Sequence, residues 1–452
     1  MATHLIVLAA GQGSRMQSDL PKVLHRLGGV PLFAHALAAG AALEPERRVL
    51  VVGHGGEQVR KAAAKLDPGI TIAEQAEQLG TAHAVAQARA ALAGAEGTAF
   101  ILYGDTPFVR PETLERLAEA RAAGHHVVVS GFTPADPARY GRLVMDGDAL
   151  ERIVEFKDAT EAERAIGYCN GGIMAVDAAR LFDLVDAIGN DNAAGEYYLT
   201  DIVEIARARG LSATAVTMDE AETLGINTRA ELSRAEALFQ AQARAAALEN
   251  GVTLVAPETV FFAQDTMIGR DAVIEPNVVF GPGVTVESGA TIRAFCHLEG
   301  CHVGGGAEVG PFARLRPGAE LSNDVKIGNF VEIKNSEILD GAKVNHLSYV
   351  GDATVGEKAN LGAGTVTCNY DGVFKHRTQI GAHAFIGSST MLVAPVKVGA
   401  HAMTGSGTVV TSDVPDGDLA IGRARQVNKP GLARRMMDRL KAMKAARQKE
   451  TT

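Results

Sequence analysis

Residues 268–298 read IGRDAVIEPNVVFGPGVTVESGATIRAFCHL, with an apolar residue at every sixth place: Ile268, Ile274, Phe280, Val286, Ile292 and Leu298. The frame slips by one and continues through Val303, Val309, Leu315, Leu321, Ile327 and Ile333. It slips again to Ile338, Val344 and Val350, and again to Val355 and Leu361. After an interruption it resumes at Ile380, Ile386, Leu392 and Val398. Six residues turn an α-helix by about 600°, so successive positions fall roughly 240° apart and no single helical face can hold them. A coil of three short strands and three turns can, each aliphatic pointing inward and each coil stacked on the last. The stretch 267–410 therefore predicts a left-handed parallel β-helix.

Working upstream, 228–250 is rich in Ala and Glu without Pro or Gly, which predicts one long linker helix ended by Gly251. Before it, apolar runs alternate with helical stretches. His4–Ala10, Arg48–Gly53, Ala99–Leu102 and His126–Phe132 read as strands, and Glu57–Leu66 as a helix. Such alternation predicts a doubly wound, Rossmann-like α/β domain. The expected division is 1–227, the linker 228–250, and 251–452 with a basic tail after Arg423. That tail reads either as a terminal helix or as a solvated charged end.

The composition narrows the function. A chain of 452 residues is too long for one ordinary core, and its 21% charged and 46% hydrophobic content is globular. A net charge of −9 argues against a general nucleic-acid binder. No basic segment precedes a long apolar run, and no run is long enough to span a membrane, so a cytoplasmic protein is expected. Four cysteines make no disulfide framework, and Cys296-His297 with Cys301-His302 lacks the spacing of a zinc site.

Gly11-Gln12-Gly13 follows the first strand, where free N–H groups can cradle phosphate. It is neither a dinucleotide fingerprint nor a Walker loop. Asp105 follows the third predicted strand, where open α/β sheets place ligands, and carboxylates suit magnesium. In the repeat region, Thr367–Gln379 breaks the frame and reads as an external loop carrying function.

LAAGQGSRM, PKVL, EQLGTAHA and YGDTP together resemble the sugar-nucleotide pyrophosphorylases. VEFKDA, NGGI and GINTRAEL are similar to the uridylyltransferase half of bacterial bifunctional enzymes of UDP-N-acetylglucosamine synthesis. ARLRPGAEL, VEIKNS, NHLSYVGDA, NLGAGTVTCNYDG and IGSSTMLVAPV are similar to their glucosamine-1-phosphate N-acetyltransferase half. The resemblance covers essentially the whole chain. It implies acetyl transfer from acetyl-CoA to glucosamine-1-phosphate, then uridylyl transfer from UTP with release of pyrophosphate. It also implies a Mg2+ cofactor and a homotrimer.

Residue by residue, the resemblance places Leu8, Ala9, Ala10 and Gly11 against the nucleotide and gives Arg15 and Lys22 its phosphates. Gln75, Gly80 and Thr81 would hold uracil and its surroundings, with Tyr103 and Gly104 leading to Asp105. Asp105 and Asn227 would hold the metal, and Gly141, Glu155 and Asn170 the sugar. Thr228 replaces the second Asn of the family's motif, a change that bears on local hydrogen bonding. In the second half, His346 would be the base that removes a proton from the attacking amine, as imidazole chemistry suits. Arg316 and Lys334 would meet the sugar phosphate, and Tyr349 and Asn360 the substrate. Ala363, Asn369, Tyr370, Ser388, Ser406 and Arg423 would line acetyl-CoA. The alternative reading is a single-activity nucleotidyltransferase whose β-helix is only a scaffold or regulator.

Overall fold

A computed structural model describes residues 2–53 and 55–450, with side chains through Arg447. The chain forms two compact units. Met1–Glu249, Phe261–Thr266 and Phe280–Pro282 make the first, and Asn250–Val260, Met267–Val279 and Gly283–Thr452 the second.

The first unit is built on a twisted sheet. Its strands are β1 (Thr3–Ala9), β2 (Arg47–Val52), β3 (Thr71–Glu74), β4 (Thr98–Tyr103), β5 (Val127–Phe132), β6 (Arg142–Asp146), β7 (Ala149–Val154), β8 (Cys169–Asp177) and β9 (Ala213–Thr217). The order is β9-β5-β8-β4-β1-β2-β3, with the β6–β7 hairpin attached through β8. Apolar β1, β2 and β4 are buried on both faces, as parallel strands covered by helices must be. The sheet departs from simple alternation at β8, which runs antiparallel between β4 and β5. Strand β3, short and polar at its ends, carried no apolar run to reveal it. The linker helix spans Arg229–Glu249, and Gly251 follows with a φ of 83°.

In the second unit every hexad residue from Ile274 onward is buried. Each coil contributes one strand to each of three parallel faces. The first face runs from Thr253–Leu254 to Leu419–Ala420, the second from His297–Leu298 to Val409–Val410, the third from Met267–Ile268 to Val396–Val398. All the irregularities fall on one edge. The short steps Leu298 to Val303, Ile333 to Ile338 and Val350 to Val355 each pass from the second face to the third. The long insertion leaves strand Val366–Cys368 and rejoins at Thr378–Ile380 on that same edge. A corner carries no inward side chain, so it absorbs length changes that would throw a paired strand out of register.

The sequence interruption is also shorter than it reads. Thr367, six residues after Leu361, is 1% exposed, and its Oγ1 accepts from Gly351 N and donates to Gly351 O. A buried threonine with both roles filled keeps the frame that an aliphatic search loses. The tail helix Leu432–Glu450 forms, and its described side chains are solvent-exposed apart from half-buried Leu432, so the tail is both a helix and a solvated charged end.

Candidate active sites

The carboxyl ends of β1, β3 and β4 surround a cavity in the first unit. Its wall includes Leu8, Ala9, Ala10, Gly11, Lys22, Gln75, Gly80, Thr81, Tyr103 and Asp105. Gly104 N donates to Leu8 O at 2.9 Å, which turns Asp105 toward the mouth. Lys22 Nζ is ion-paired with Asp105 and donates to Asn227 Oδ1 at 2.9 Å. Ile226 N donates to Asp105 O at 3.0 Å and brings Asn227 there across a long span of sequence. Lys22 crosses Gly13 so closely that a Cβ on Gly13 would lie 2.5 Å from the Lys22 Cβ. Here glycine is a packing requirement as well as a source of φ +65°.

Gln75 is buried, and its amide donates to Gly80 O at 3.1 Å while meeting His83 Nδ1 at 3.1 Å. Gly80 has φ +118°, and a Cβ there would come 2.5 Å from Tyr197 O, so only glycine fits. Burial first, then the charges of Asp105 and Glu155, push the Tyr103 phenol far above its usual range and keep it a neutral donor. Gly141, Glu155 and Asn170 form a neighbouring group. A Cβ on Gly141 would sit 3.4 Å from Glu155 Oε1 and 3.6 Å from Asn170 Cβ. Burial raises the Glu155 carboxyl, with a Thr200 hydrogen bond opposing it. Arg15 is exposed and lies outside the cavity wall.

In the second unit, strand Lys343–His346 ends at the edge between the first and second faces. His346 is exposed, and its Nδ1 lies 3.0 Å from Asn329 Oδ1, its register partner one coil below. An amide oxygen only accepts, so in the neutral ring Nδ1 carries the proton and Nε2 keeps its lone pair. The same edge climbs through Ala363, Ser388, Ser406 and Arg423, one coil per step. Gly364 N donates to His346 O, Ser389 N to Ala363 O, Gly407 N to Ser388 O, and Arg423 to Ser406 O. Four coils at the strand spacing of ~4.8 Å put Arg423 about 19 Å above His346.

The second face lies beside this edge. Lys334 Nζ is 3.6 Å from Asp352 Oδ2, and Arg316 Nη1 donates to Glu332 Oε1 at 2.8 Å. Glu332 is in register with Tyr349, and Lys334 with Gly351. Asn369 bonds Asp352 and reaches Tyr349 Oη at 3.4 Å. Burial would raise the Asp352 carboxyl, but hydrogen bonds from Asn335 and Asn369 and the Lys334 and Lys375 charges hold it below its ordinary value. Two predicted residues lie apart from this group. Asn360 is on the first face in register with Lys343, and Tyr370 is exposed on the inserted loop, with Oη donating to Gly372 O at 2.5 Å.

Residues 5–168 match the family model of the MobA-like NTP transferase domain, and residues 265–300 that of the bacterial transferase hexapeptide (six repeats). The chain is 67% identical over 449 residues to the Bifunctional protein GlmU of Ruegeria sp. (strain TM1040), covering 99% of this chain and 100% of that one. It is 68% identical over 447 residues to the one from Cereibacter sphaeroides (strain ATCC 17025 / ATH 2.4.3), covering 99% and 98%. It is 69% identical over 440 residues to that of Paracoccus denitrificans (strain Pd 1222), covering 97% and 98%. The chain belongs to the GlmU family. It is a bifunctional enzyme of UDP-N-acetylglucosamine synthesis, joining acetyl transfer and uridylyl transfer and using acetyl-CoA and UTP. Among its described residues no helix is long and apolar enough to cross a membrane.

Several residues of this GlmU family member escaped the sequence. Gln78 and Glu196 stand in the cavity wall, and Gln78 Nε2 donates to Ala10 O at 2.7 Å. Asn329 was findable, because it precedes His346 by one 17-residue coil. Lys375, on the inserted loop, faces Lys334, whose hydrogen bond and charge lower its pKa. Thr228 turns out to be a helix-capping residue. Its Oγ1 accepts from Glu231 N, while Glu231 Oε2 accepts from Thr228 N and Asn227 N, a capping box that fixes the metal-candidate loop. Cys296 and Cys301 are buried, and burial pushes their thiols up to about 11 and about 12.

Gly11 gives a prediction. It lines the cavity, yet a Cβ there would meet no atom within 4 Å. Gly11→Ala is expected to leave the melting temperature within about 2 °C of wild type, since no contact is disturbed. It should raise KM for UTP roughly tenfold, because only a ligand contests that space. Steady-state kinetics with a melting curve checks both.

Proposed function

We propose that the cavity of the first unit is the uridylyl-transfer site and the His346 edge the acetyl-transfer site. The reading of the first rests on one observation: Asp105 and Asn227, far apart in sequence, aim hard oxygens at a single cationic point, now held by the Lys22 ammonium. A carboxylate and an amide oxygen suit Mg2+, so Asp105 and Asn227 would hold the ion there. Bound there, Mg2+ would neutralise phosphate charge. Lys22 would then shift its proton-rich head to the phosphates, while the Gly11–Gly13 backbone wraps them and Arg15 meets them from outside. An oxygen of N-acetylglucosamine-1-phosphate attacks the α-phosphorus of UTP, and the bond to pyrophosphate breaks. Gly141, Glu155 and Asn170 seat the sugar, and Gln75, Gly80 and Thr81 the base.

For the second reaction, His346 Nε2 takes a proton from the glucosamine amine as nitrogen attacks the thioester, and coenzyme A leaves as the thiol. Arg316 and Lys334 hold the sugar phosphate across the second face, with Tyr349 and Asn360 on the sugar. Ala363, Ser388, Ser406 and Arg423 receive acetyl-CoA, laid along the edge with its thioester toward His346, while Asn369 and Tyr370, at the far edge of the second face, would meet it from a neighbouring copy.

The proposal includes a homotrimer in the cytoplasm. Phe295, Phe312 and Phe330 stack in a ladder at 4.9 and 5.2 Å, half-exposed, and Leu347 next to His346 extends it. An apolar ridge ending at the proposed base supports a neighbouring copy closing that site. Phe312→Glu should shift the mass by light scattering toward monomer and lower acetyl transfer by about tenfold or more, a loss of ≥1.4 kcal/mol of closure.

The two-site reading is tested by mixing the protein with glucosamine-1-phosphate, acetyl-CoA, UTP and magnesium, and following free thiol and pyrophosphate separately. Both should appear, with pyrophosphate dependent on acetyl-CoA unless N-acetylglucosamine-1-phosphate is supplied. Pyrophosphate without thiol would return the β-helix to a scaffold.

A further inference from the structure

The linker helix starts beside the first-unit cavity, where Asn227 accepts from Lys22. Asn227 and the cap Thr228 lead directly into Arg229, its first residue. From that fixed end the Arg229 side chain reaches back 213 residues, where Nε donates to Met16 O at 3.3 Å. Its Nη1 donates to His25 Nδ1 at 3.2 Å. Met16 closes the turn that follows Gly11-Gln12-Gly13, and His25 follows the turn that carries Lys22. Both anchor residues are buried, while Gln17–Leu20 between them is exposed.

We propose that Arg229 is a positioning residue for uridylyl transfer. It clamps both ends of the segment 16–25, which follows the Gly11–Gly13 loop and carries Lys22, to the start of the linker helix, and so holds Lys22 opposite Asp105 and Asn227. This rests on the reading of the first-unit cavity as the uridylyl site. A planar guanidinium offers divergent donors in fixed geometry, and a lysine ammonium of similar length does not span both acceptors. The partner is set to receive it. To accept at Nδ1, His25 must be neutral with its proton on Nε2. Burial first, and the Arg229 charge second, lower its pKa, although a Leu20 backbone contact works the other way. A merely structural Arg229 would instead support the helix start, which Thr228 and Glu231 already cap.

The test uses the full chain carrying Arg229→Ala, Arg229→Lys or His25→Leu. Uridylyl transfer is measured with UTP and N-acetylglucosamine-1-phosphate varied separately, and acetyl transfer on the same preparations. Loss of two charge-assisted hydrogen bonds should raise KM for UTP by roughly tenfold to hundredfold in Arg229→Ala, with KM for the sugar phosphate within about threefold. Arg229→Lys should recover only part of this, and His25→Leu should show a smaller defect that does not add to that of Arg229→Ala. Acetyl transfer should stay at the wild-type rate. Unchanged kinetics, or a fall in kcat with both KM values intact as lost active fraction would give, overturns the proposal. If Arg229→Ala does not fold, Arg229→Lys alone decides, and wild-type KM for UTP in it overturns the clamp. A wild-type chain that makes no pyrophosphate overturns the reading of the cavity, and the clamp with it.

Discussion

Replacing His346 with alanine is expected to lower acetyl transfer by about 10²- to 10⁴-fold, the usual contribution of a positioned general base. Uridylyl transfer from supplied N-acetylglucosamine-1-phosphate should stay within about twofold of wild type, since it draws on no residue of this edge. His346 lies on the outside of its coil, so its removal opens no cavity, and the inward residue of the strand, Val344, is untouched. Fold loss therefore cannot account for lost turnover. The Asn329 contact sharpens the expectation. Asn329→Ala keeps the imidazole but frees its ring to rotate and change tautomer, so kcat should fall by about tenfold, the worth of one hydrogen bond to a group that becomes charged in the reaction. Asn329→Asp keeps an acceptor in place and should lose less. Thiol release in single-turnover assays separates these outcomes from product release. Wild-type thiol release by His346→Ala would remove this residue from the mechanism.

The β-helix was legible because its period is written in volume and hydropathy, and a stacked coil allows few alternatives to an aliphatic inside. It became illegible where chemistry replaced volume. Thr367, Thr390 and Thr404 are buried inside the prism, and each satisfies its hydroxyl locally, so the apolar pattern fades while the fold continues. The slips carried a meaning that no one-dimensional reading supplies. All three, and the insertion, lie on the edge between second and third faces, away from the edge that carries His346. The opposite edge keeps its register, which lets Asn329 and His346 align. In the α/β unit the buried strands were visible as apolar runs, but antiparallel β8 was not, since strand direction is set by tertiary pairing. Most motif residues gather at the first-unit cavity and around His346, with Arg15, Asn360 and Tyr370 lying apart, whereas Gln78, Arg229 and Lys375 become candidates only through contacts spanning many residues.

Lys22→Met should lower uridylyl transfer by about 10²- to 10³-fold, the scale seen when one charge-stabilising group is lost from a phosphoryl-type transition state. Methionine keeps an unbranched stem over Gly13, so the packing that forbids a Cβ there is retained and the fold should hold. Acetyl transfer should be unchanged. A second readout moves the opposite way. In the wild-type chain without nucleotide, the Lys22 ammonium occupies the point on which the Asp105 and Asn227 oxygens converge. A divalent cation must displace it, and the lysine must find a new anion, which the nucleotide phosphates provide. Without that ammonium the two oxygens face no competitor. Lys22→Met should therefore bind Mn2+, the paramagnetic stand-in for Mg2+, more tightly in the absence of UTP, by roughly tenfold for about one ion pair removed. The variant would hold metal better and catalyse worse, a combination that neither misfolding nor simple loss of metal affinity produces. Asp105→Asn should do the reverse for metal, weakening Mn2+ binding, while also lowering uridylyl transfer. If Lys22→Met binds Mn2+ no more tightly than wild type, the cation does not bind where Lys22 rests, and Asp105 with Asn227 would be left as anchors for the lysine alone.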